Sequence, residues 1–191
     1  MSAGAEPLIL ASRSPQRRAI LDQLRIAFEV LAVDVEEIAD GEPVRVARAN
    51  ALRKAEAAAA LRPGRTILGV DTVVALDGEI FGKPADETAA RETLKRLSGR
   101  THTVVSGLAL LRFDNPQVVH EVTEVTFRAF GDDVLQRYVQ TREWAGRAGG
   151  YAIQGQGAAL VRAISGNYLN VVGLPVGALL DLDLSLILRE N

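Results

Sequence analysis

The sequence predicts a mixed-sheet α/β or α+β protein, and two patterns support this prediction. Short apolar runs typical of strands alternate with longer segments of helical periodicity along most of the 191 residues. Two long β-rich runs also lie on either side of the turn-prone tripeptide "DNP", which indicates an antiparallel hairpin. Because crossover helices join parallel strands and a hairpin joins antiparallel ones, we expect both directions in the sheet.

The elements in the first half of the chain have clear end signals. "PLILA" is a short apolar strand, and a helix is predicted from Ser14 to about Leu24 because Ser14 can cap it and a proline follows. "AFEVLAV" alternates weakly and ends in the acidic run "DVEE". The Ala-rich segment 43–61 is a second helix, closed by "RPG". "RTILGV" is a β-rich run that ends at Asp71, and "TVVAL" then leads through an Asp-Gly turn to "EIFGKP".

The second half begins with a helix predicted over residues 86–97. The hairpin arms are "THTVVSGLALLRF" and "QVVHEVTEVTFRAF", and a short helix follows over 132–141. "ALVRAI" is a strand, and "GLPVGALLDLDLSLIL" is one closing helix that begins near Pro175. The intervening segment is rich in glycine, which indicates tight turns close to a bound molecule. The glycines in and just after it are Gly146, Gly149, Gly150, Gly155, Gly157 and Gly166.

Composition limits the classes of function. The 22 basic and 24 acidic residues give a formal net charge of −2, so no global field attracts nucleic acid or an anionic membrane, and an anion must be bound by local positive charge. The absence of cysteine excludes disulfides, zinc ribbons, iron–sulfur clusters and thiol nucleophiles. No run approaches the ~18 apolar residues of a membrane span, and the N-terminus lacks the features of a signal peptide. We therefore expect a cytoplasmic protein with one large domain, or two lobes that share a core.

Three arginines surround the start of the first predicted helix, namely Arg13, Arg17 and Arg18. The helix dipole disfavours a cation at this end by a few tenths of a kcal/mol up to about 1 kcal/mol, unless an anion is bound there. Backbone N–H groups at a helix start bind phosphate, and the guanidinium fork matches two phosphate oxygens, so the cluster is a candidate phosphate site. The alternative is that the arginines point to water. The turn lacks the G-x-x-x-x-G-K-[ST] pattern of a Walker A loop.

Three further residues are candidates for a site, and each has a plain structural alternative. Asp71, at the end of its β-rich run, can hold a metal or act as a general base, or it is a turn or surface acid. Lys83 stands between a glycine and a proline that restrict its ammonium group, or it is a solvated loop lysine. Lys54 lies on the Ala-rich helix, where it needs an anion if that face is buried and serves solubility if it is not.

The acidic run supplies candidate metal ligands. Glu36 and Glu37 are hard oxygen ligands, and with no cysteine and only two histidines in the chain they suit Mg²⁺ or Mn²⁺ better than zinc. The alternative is a solvated run of charges. We assign His102 and His120, in opposite arms of the hairpin, to structure because neither has a Ser or Cys nucleophile to serve.

Five segments in chain order carry the most specific pattern of the sequence. They are "LILASRSPQRRAIL", "GVDTVVALDGEIFGKP", "LSGRTHTVVSGLAL", "VTEVTFRAF" and "EWAGRAGGYAIQGQGAALVRAISGNYLNVVGLPV". Together they cover most of the chain and resemble the Maf family of nucleoside triphosphate pyrophosphatases. The resemblance implies an elongated, two-lobed α/β mixed-sheet fold of the inosine triphosphatase-like type, with a central cleft, in a single domain over residues 1–191. It also implies hydrolysis between the α- and β-phosphates with a divalent cation such as Mg²⁺, Mn²⁺ or Co²⁺.

The resemblance further implies roles for individual residues. The phosphate-binding turn of the family corresponds to Ser12, Ser14, Arg17 and Arg18. Its polar catalytic set corresponds to Glu37, Lys54, Asp71 and Lys83. Asp71 would accept a proton from water, Asp71 and Glu37 would hold the metal, and the two lysines would stabilise charge on the phosphates. These roles fit phosphoryl chemistry, which depends on positioning and charge neutralisation.

The implied base preference depends on fewer residues. The family branch of dTTP/UTP pyrophosphatases has Thr after the catalytic Asp and Tyr-x-x-Gln in the glycine loop, which correspond to Thr72, Tyr151 and Gln154. The Gln154 amide can pair with a pyrimidine edge through one donor and one acceptor, and Tyr151 can stack or donate a hydrogen bond. Two residues depart from the branch: Gln16 stands at a specificity position that usually has arginine, and Arg147 replaces a common lysine.

The sequence thus predicts a metal-dependent pyrophosphatase that acts on dTTP and UTP, with modified pyrimidine nucleotides as further candidate substrates, in a house-cleaning or cell-division-arrest role. One alternative is the branch that acts on 7-methylguanosine triphosphate, which normally has Gln in place of Thr72 and Glu in place of Gln154. Another is a non-catalytic, nucleotide-binding regulator of septation, against which the intact acidic and lysine set argues. The net charge does not favour a nucleic-acid-binding module, and a homodimer is expected from the general prevalence of such assemblies.

Overall fold

Residues 6–113 and 115–188 are described by the computed structural model, and the strands in these ranges form one seven-stranded sheet. The strands are β1 (Leu8–Ala11), β2 (Phe28–Val30), β3 (Ile67–Leu76), β4 (Glu79–Phe81), β5 (Thr101–Arg112), β6 (Asn115–Phe127) and β7 (Val161–Ser165). Their order across the sheet is β2-β1-β3-β5-β6-β7, and β4 pairs with β3 outside this path.

Seven α-helices accompany the sheet in the same two ranges. They are α1 (Pro15–Gln23), α2 (Pro43–Leu61), α3 (Glu87–Leu97), α4 (Asp132–Gln140), α5 (Tyr168–Val172), α6 (Val176–Leu182) and α7 (Ser185–Leu188). Two 3₁₀ turns, Ala148–Gly150 and Gln156–Leu160, lie in the glycine-rich segment. None of these helices is long and apolar enough to cross a membrane.

The sheet contains both strand directions. β1 is parallel to β2 and β3, whereas β3, β5, β6 and β7 are successively antiparallel. In this register Asp71 on β3 lies opposite Gly107 on β5. The prediction of a mixed α/β sheet is therefore confirmed, as are the Ser14 cap of α1 and the bounds of α2.

The two faces of the sheet pack against different helices because strand side chains alternate between them. On one face, Ile9, Ile67 and other side chains of β1, β3 and β5 pack against the alanine stripe of α2. On the other face, the apolar side chains of the same strands pack against α1, α3, α4 and α6. Those helices contribute Leu21, Leu94, Leu135 and Leu179 to this core, all of them buried.

Helix α2 lies directly on the backbone of β3 and β5, because each strand has a glycine beneath it. A Cβ atom on Gly107 would lie 2.2 Å from the carbonyl oxygen of Ala47, and one on Gly69 would lie 2.2 Å from that of Ala51. These distances leave no space for a side chain at either position. The close approach places the residues of α2 next to Asp71.

The predicted position of Asp71 at a strand end is wrong. β3 continues from Ile67 to Leu76, so Asp71 lies in its middle. All residues of β3 except Thr72 are buried, and β3 pairs with β5 from Ile67 to Ala75. Long-range pairing therefore extends the strand past a charged residue that looked like its end.

The prediction of one closing helix is also wrong, because the segment forms α6 and α7. A carboxylate oxygen of Asp183, the C-cap of α6, accepts hydrogen bonds from the Ser185 backbone N–H at 3.1 Å and from the Ser185 hydroxyl at 2.6 Å, so a turn separates the two helices. The short helix α5 was not predicted. The Asn167 side chain caps it, and Gly173, with φ 127°, ends it.

Candidate active site

A cavity of about 950 Å³ collects side chains from segments that are far apart in the chain. Its walls come from the β1–α1 turn, the segment after β2, α2, β3, the glycine-rich segment and the end of α5. The predicted site residues that line it are Ser12, Ser14, Gln16, Arg17, Glu37, Lys54, Asp71, Thr72, Lys83, Tyr151 and Gln154. Arg18 does not reach this cavity and instead lines a separate shallow groove beside Asp22 and Phe28.

An acidic and basic cluster stands on the side of the cavity formed by α2 and β3. Lys54 Nζ lies 2.6 Å from Asp71 Oδ1 and 2.7 Å from Glu37 Oε1. Asp71 is buried, with 7% of its surface exposed, so its charge needs this partner, whereas Glu37 is open to solvent. Lys54 therefore faces inward, and its solubility alternative is wrong.

Asn50, which the sequence reading missed, holds the other oxygen of Asp71. Its Nδ2 donates to Asp71 Oδ2 at 3.1 Å, and its amide also bonds the backbone N–H and carbonyl of Ile38, beside Glu37. Asn50 precedes Lys54 by one turn of α2, so both lie on one face of the helix. The i, i+4 spacing of Asn50 and Lys54 was the only sign in the sequence that they act together. It identifies Asp71 as their common partner only when the packing of α2 on β3 is known.

Arg17 is buried and joins three parts of the structure. Its Nε donates to the Gly173 carbonyl at 2.8 Å, Nη1 to Ser12 Oγ at 2.8 Å and Nη2 to Thr72 Oγ1 at 3.1 Å. Burial lowers the pKa of the guanidinium, and the charges of Asp71 and Glu37 oppose that shift. The prediction that Arg17 belongs to a phosphate-binding turn remains a prediction, and the structure adds that most of its donor capacity holds the cavity together.

The β1–α1 turn is closed by its own serines. Ser12 Oγ accepts from the Ser14 backbone N–H at 3.2 Å, and Ser14 Oγ accepts from the Arg17 backbone N–H at 3.4 Å. The Ser14 hydroxyl donates to Gln16 Oε1 at 3.2 Å, so Gln16 is held at the edge of the cavity. Thr72, the next wall residue, lies opposite Ser106 in the β3–β5 register, with 2.9 Å between their hydroxyl oxygens. Ser106 was missed because only the register reveals it.

Tyr151 lines the cavity, and its hydroxyl lies in the core. The hydroxyl oxygen lies 2.9 Å from His102 Nε2, and the ring packs edge-on against Phe127 at a centroid distance of 4.9 Å. Burial raises the pKa of Tyr151 and lowers the pKa of His102 to about 4, so both side chains are neutral at pH 7. The hydroxyl contacts His102 in the core, and the prediction that Tyr151 stacks on a base or donates to it stays a prediction. His120 is exposed on β6.

Glu143 braces the segment that carries Gln154. Its two carboxylate oxygens accept the backbone N–H groups of Gln156 at 2.9 Å and Gly157 at 3.2 Å. Gln154 itself is exposed at the cavity. The sequence reading missed Glu143 because its partners are backbone groups, which carry no residue signature.

These features can be compared with known proteins. A family profile described as Maf-like protein matches residues 7–183. The chain belongs to the Maf family. Three Maf relatives are each named dTTP/UTP pyrophosphatase. The one from Symbiobacterium thermophilum is 47% identical over 90% of this chain and 89% of its own. The one from Nitratidesulfovibrio vulgaris is 48% identical over 92% of this chain and 85% of its own. The one from Pyrococcus furiosus is 43% identical over 92% of this chain and 93% of its own.

Asp71 and Glu37 are the two carboxylates of this Maf protein that line the cavity at Lys54. Asp71 and Glu37 both lie within 2.7 Å of Lys54 Nζ, so they face a common point. Among residues 6–113 and 115–188, no group of three or more His, Asp or Glu side chains is arranged to hold a metal ion. Mg²⁺ commonly binds through one or two carboxylates and completes its coordination with water and phosphate oxygens. Their carboxylate chemistry suits such a cation, the point between them holds the Lys54 ammonium, and the metal role of Asp71 and Glu37 stays a prediction.

Proposed function

We propose that this protein is a nucleoside triphosphate pyrophosphatase that hydrolyses dTTP and UTP to the monophosphate and pyrophosphate. The observation that carries the proposal is the single cavity in which the Asp71–Lys54–Glu37 cluster faces the arginine-bearing turn of α1. The three relatives named dTTP/UTP pyrophosphatase support the same activity.

The proposed reaction uses water as the nucleophile. The water oxygen bonds to the α-phosphorus, the bond from that phosphorus to the α–β bridging oxygen breaks, and pyrophosphate leaves. Asp71 takes the proton from the water. Because Lys54 bonds one oxygen of Asp71 and Asn50 the other, the carboxylate is oriented before substrate binds.

Positive charge on the cavity walls balances the phosphates. Lys83 is exposed at the cavity and forms no ion pair with any residue in the described ranges, so its ammonium is available to a phosphate oxygen. Asp71 and Glu37 would hold a divalent cation, which when bound neutralises charge on the phosphate oxygens.

Base recognition is proposed for the wall formed by Tyr151 and Gln154. The Tyr151 ring is an apolar surface for a pyrimidine, and the exposed Gln154 amide offers one donor and one acceptor to its edge. Modified pyrimidine nucleotides remain candidate substrates where the base keeps the hydrogen-bonding edge that Gln154 would contact. A cytoplasmic house-cleaning role and a homodimer remain part of the proposal.

Pyrophosphate release tests the proposal. Wild-type protein is given dTTP, UTP, CTP and 7-methylguanosine triphosphate with Mg²⁺, Mn²⁺ or Co²⁺. We expect preference for dTTP and UTP. Activity on no triphosphate would favour the non-catalytic regulator, and preference for 7-methylguanosine triphosphate would contradict the base assignment.

Asp71→Asn tests the general base. Loss of the proton acceptor should lower kcat by about 10²- to 10⁴-fold, since general base catalysis contributes that much. The matched control is Asp77→Asn in the β3–β4 turn, where an exposed carboxylate pairs with Arg100. This control should keep wild-type turnover because exposed ion pairs contribute little. Wild-type kcat in Asp71→Asn would refute its role.

A further inference from the structure

The three arginines at the start of α1 have three different surroundings. Arg17 is buried and bonded to the Gly173 carbonyl and two hydroxyls. Arg18 lies outside the cavity. Arg13 lines the cavity, is exposed, and forms no ion pair or side-chain hydrogen bond with any residue of the described ranges. Of the three, only Arg13 presents an uncommitted guanidinium to a ligand.

Some cations that line the cavity are already bonded to protein groups, so Arg13 is among those left to neutralise phosphate charge. Lys54 is engaged by two carboxylates, and Arg17 is engaged by three neutral oxygens. In the part of the chain described, the lining cations with neither an ion pair nor a side-chain hydrogen bond are Arg13, Lys83 and Arg147. A nucleoside triphosphate carries most of its charge on the terminal phosphates, so these cations are the ones left to neutralise them.

The position of Arg13 also favours an anion. It lies between Ser12 and Ser14, whose hydrogen bonds close the turn, and the nine-residue helix α1 begins two residues later. The positive end of the helix dipole disfavours an unpaired cation at this place and attracts a phosphate. A phosphate bound here would therefore offset the cost of the Arg13 charge. Arg13 is exposed at the cavity that Asp71 also lines, so a phosphate in the cavity can reach its guanidinium without breaking a side-chain hydrogen bond of the described residues.

We propose that Arg13 binds the terminal phosphates of the substrate and then the pyrophosphate product. This inference rests on the proposed function. The planar guanidinium can bond two phosphate oxygens at once, which makes Arg13 a binding residue for the departing half of the substrate.

Arg13→Gln tests this role by inhibition with inorganic pyrophosphate and with TMP. The inhibition constant for pyrophosphate and the KM for dTTP should each rise about 10-fold or more, because charge-assisted hydrogen bonds to phosphate are lost. The inhibition constant for TMP should not change, and kcat should fall little. Arg13→Lys keeps the charge but loses the two-pronged guanidinium, so its inhibition constant for pyrophosphate should lie between those of wild type and Arg13→Gln. Arg162→Gln is the control, since Arg162 is an exposed arginine of β7 away from the cavity.

The outcomes separate this inference from the proposed function. Wild-type protein that releases pyrophosphate, together with an Arg13→Gln variant whose pyrophosphate inhibition constant equals that of Arg162→Gln, overturns the inference alone. Equal weakening of TMP and pyrophosphate also overturns it, because that is the mark of general damage. Wild-type protein with no pyrophosphate release overturns the proposed function, and direct titration of pyrophosphate into wild type and Arg13→Gln then decides whether Arg13 binds it.

Discussion

At the residue scale, His102 and Tyr151 join the core to the wall of the cavity. The His102 Nε2 atom and the Tyr151 hydroxyl are 2.9 Å apart and buried, and Tyr151 lines the cavity. The pair is neutral because burial disfavours the charged form of each side chain. Phe127 packs edge-on against both rings. The orientation of the Tyr151 ring is therefore set from inside the core.

The pKa of His102 predicts a pH dependence of stability. In the unfolded chain His102 binds a proton below about pH 6.5, whereas burial lowers its folded pKa to about 4. Between these values the unfolded state binds more protons, so stability is complete above about pH 6.5 and is lost as the pH falls toward 4. The free energy of unfolding should drop by about 2 kcal/mol from pH 7.5 to 5 through this residue.

Urea unfolding at both pH values measures this drop. His102→Gln, whose amide can still bond the Tyr151 hydroxyl, should lose that part of the pH dependence. His120→Gln should keep it, because His120 is exposed. Equal pH dependence in wild type and His102→Gln would show that His102 is not its source.

At the scale of elements, the packing of α2 on β3 and β5 builds the catalytic cluster. Gly69 and Gly107 let the helix backbone contact the strands, and α2 supplies both Asn50 and Lys54 to Asp71. The site is therefore as sensitive to the distance between these elements as to the polar side chains themselves.

Gly107→Ala tests this packing. The new Cβ would collide with the Ala47 carbonyl oxygen at 2.2 Å, so α2 must move away from the sheet. We expect a loss of about 1–3 kcal/mol in unfolding free energy and a fall in kcat, since Lys54 and Asn50 move with the helix. Thermal unfolding and steady-state kinetics measure the two effects.

Gly82→Ala is the matched control for stability, because a Cβ there meets nothing within 4 Å. It should unfold close to the wild-type temperature. If Gly107→Ala is as stable and as active as wild type, the contact between α2 and the sheet does not position the cluster.

At the scale of the whole molecule, the site exists only when the entire chain folds. Its walls come from residues between Ala11 and Gly173, and all seven strands of the described ranges belong to one sheet. We therefore propose a single cooperative domain, in which no part of the cavity forms alone.

Chemical unfolding followed by two probes tests this cooperativity. Trp144 is buried near Gly150, so its fluorescence reports the glycine-rich wall, whereas far-UV circular dichroism reports the whole fold. The two transitions should coincide. A non-hydrolysable dTTP analogue at about 100 times its Kd should raise the unfolding free energy by about 2.7 kcal/mol in both. Separate midpoints would show that the glycine-rich wall folds independently.

The sequence by itself determined the features that depend on neighbouring residues. The Ser-Pro start of α1, the Ala-rich α2 and the long hairpin were predicted because caps, helical periodicity and turn residues act over a few positions. The family motifs also marked most of the polar side chains that line the cavity, with Arg18 as an exception.

Only the tertiary structure decided the place and partners of those side chains. Asp71 lies within a strand because β5 pairs past it, and Arg17 and Arg18 differ because the packing of α1 buries one and leaves the other outside. Asn50 bonds Asp71 because α2 packs across β3, and the Tyr151 hydroxyl contacts His102 because both are buried in the core. Such contacts join residues far apart in the chain, so no local pattern records them.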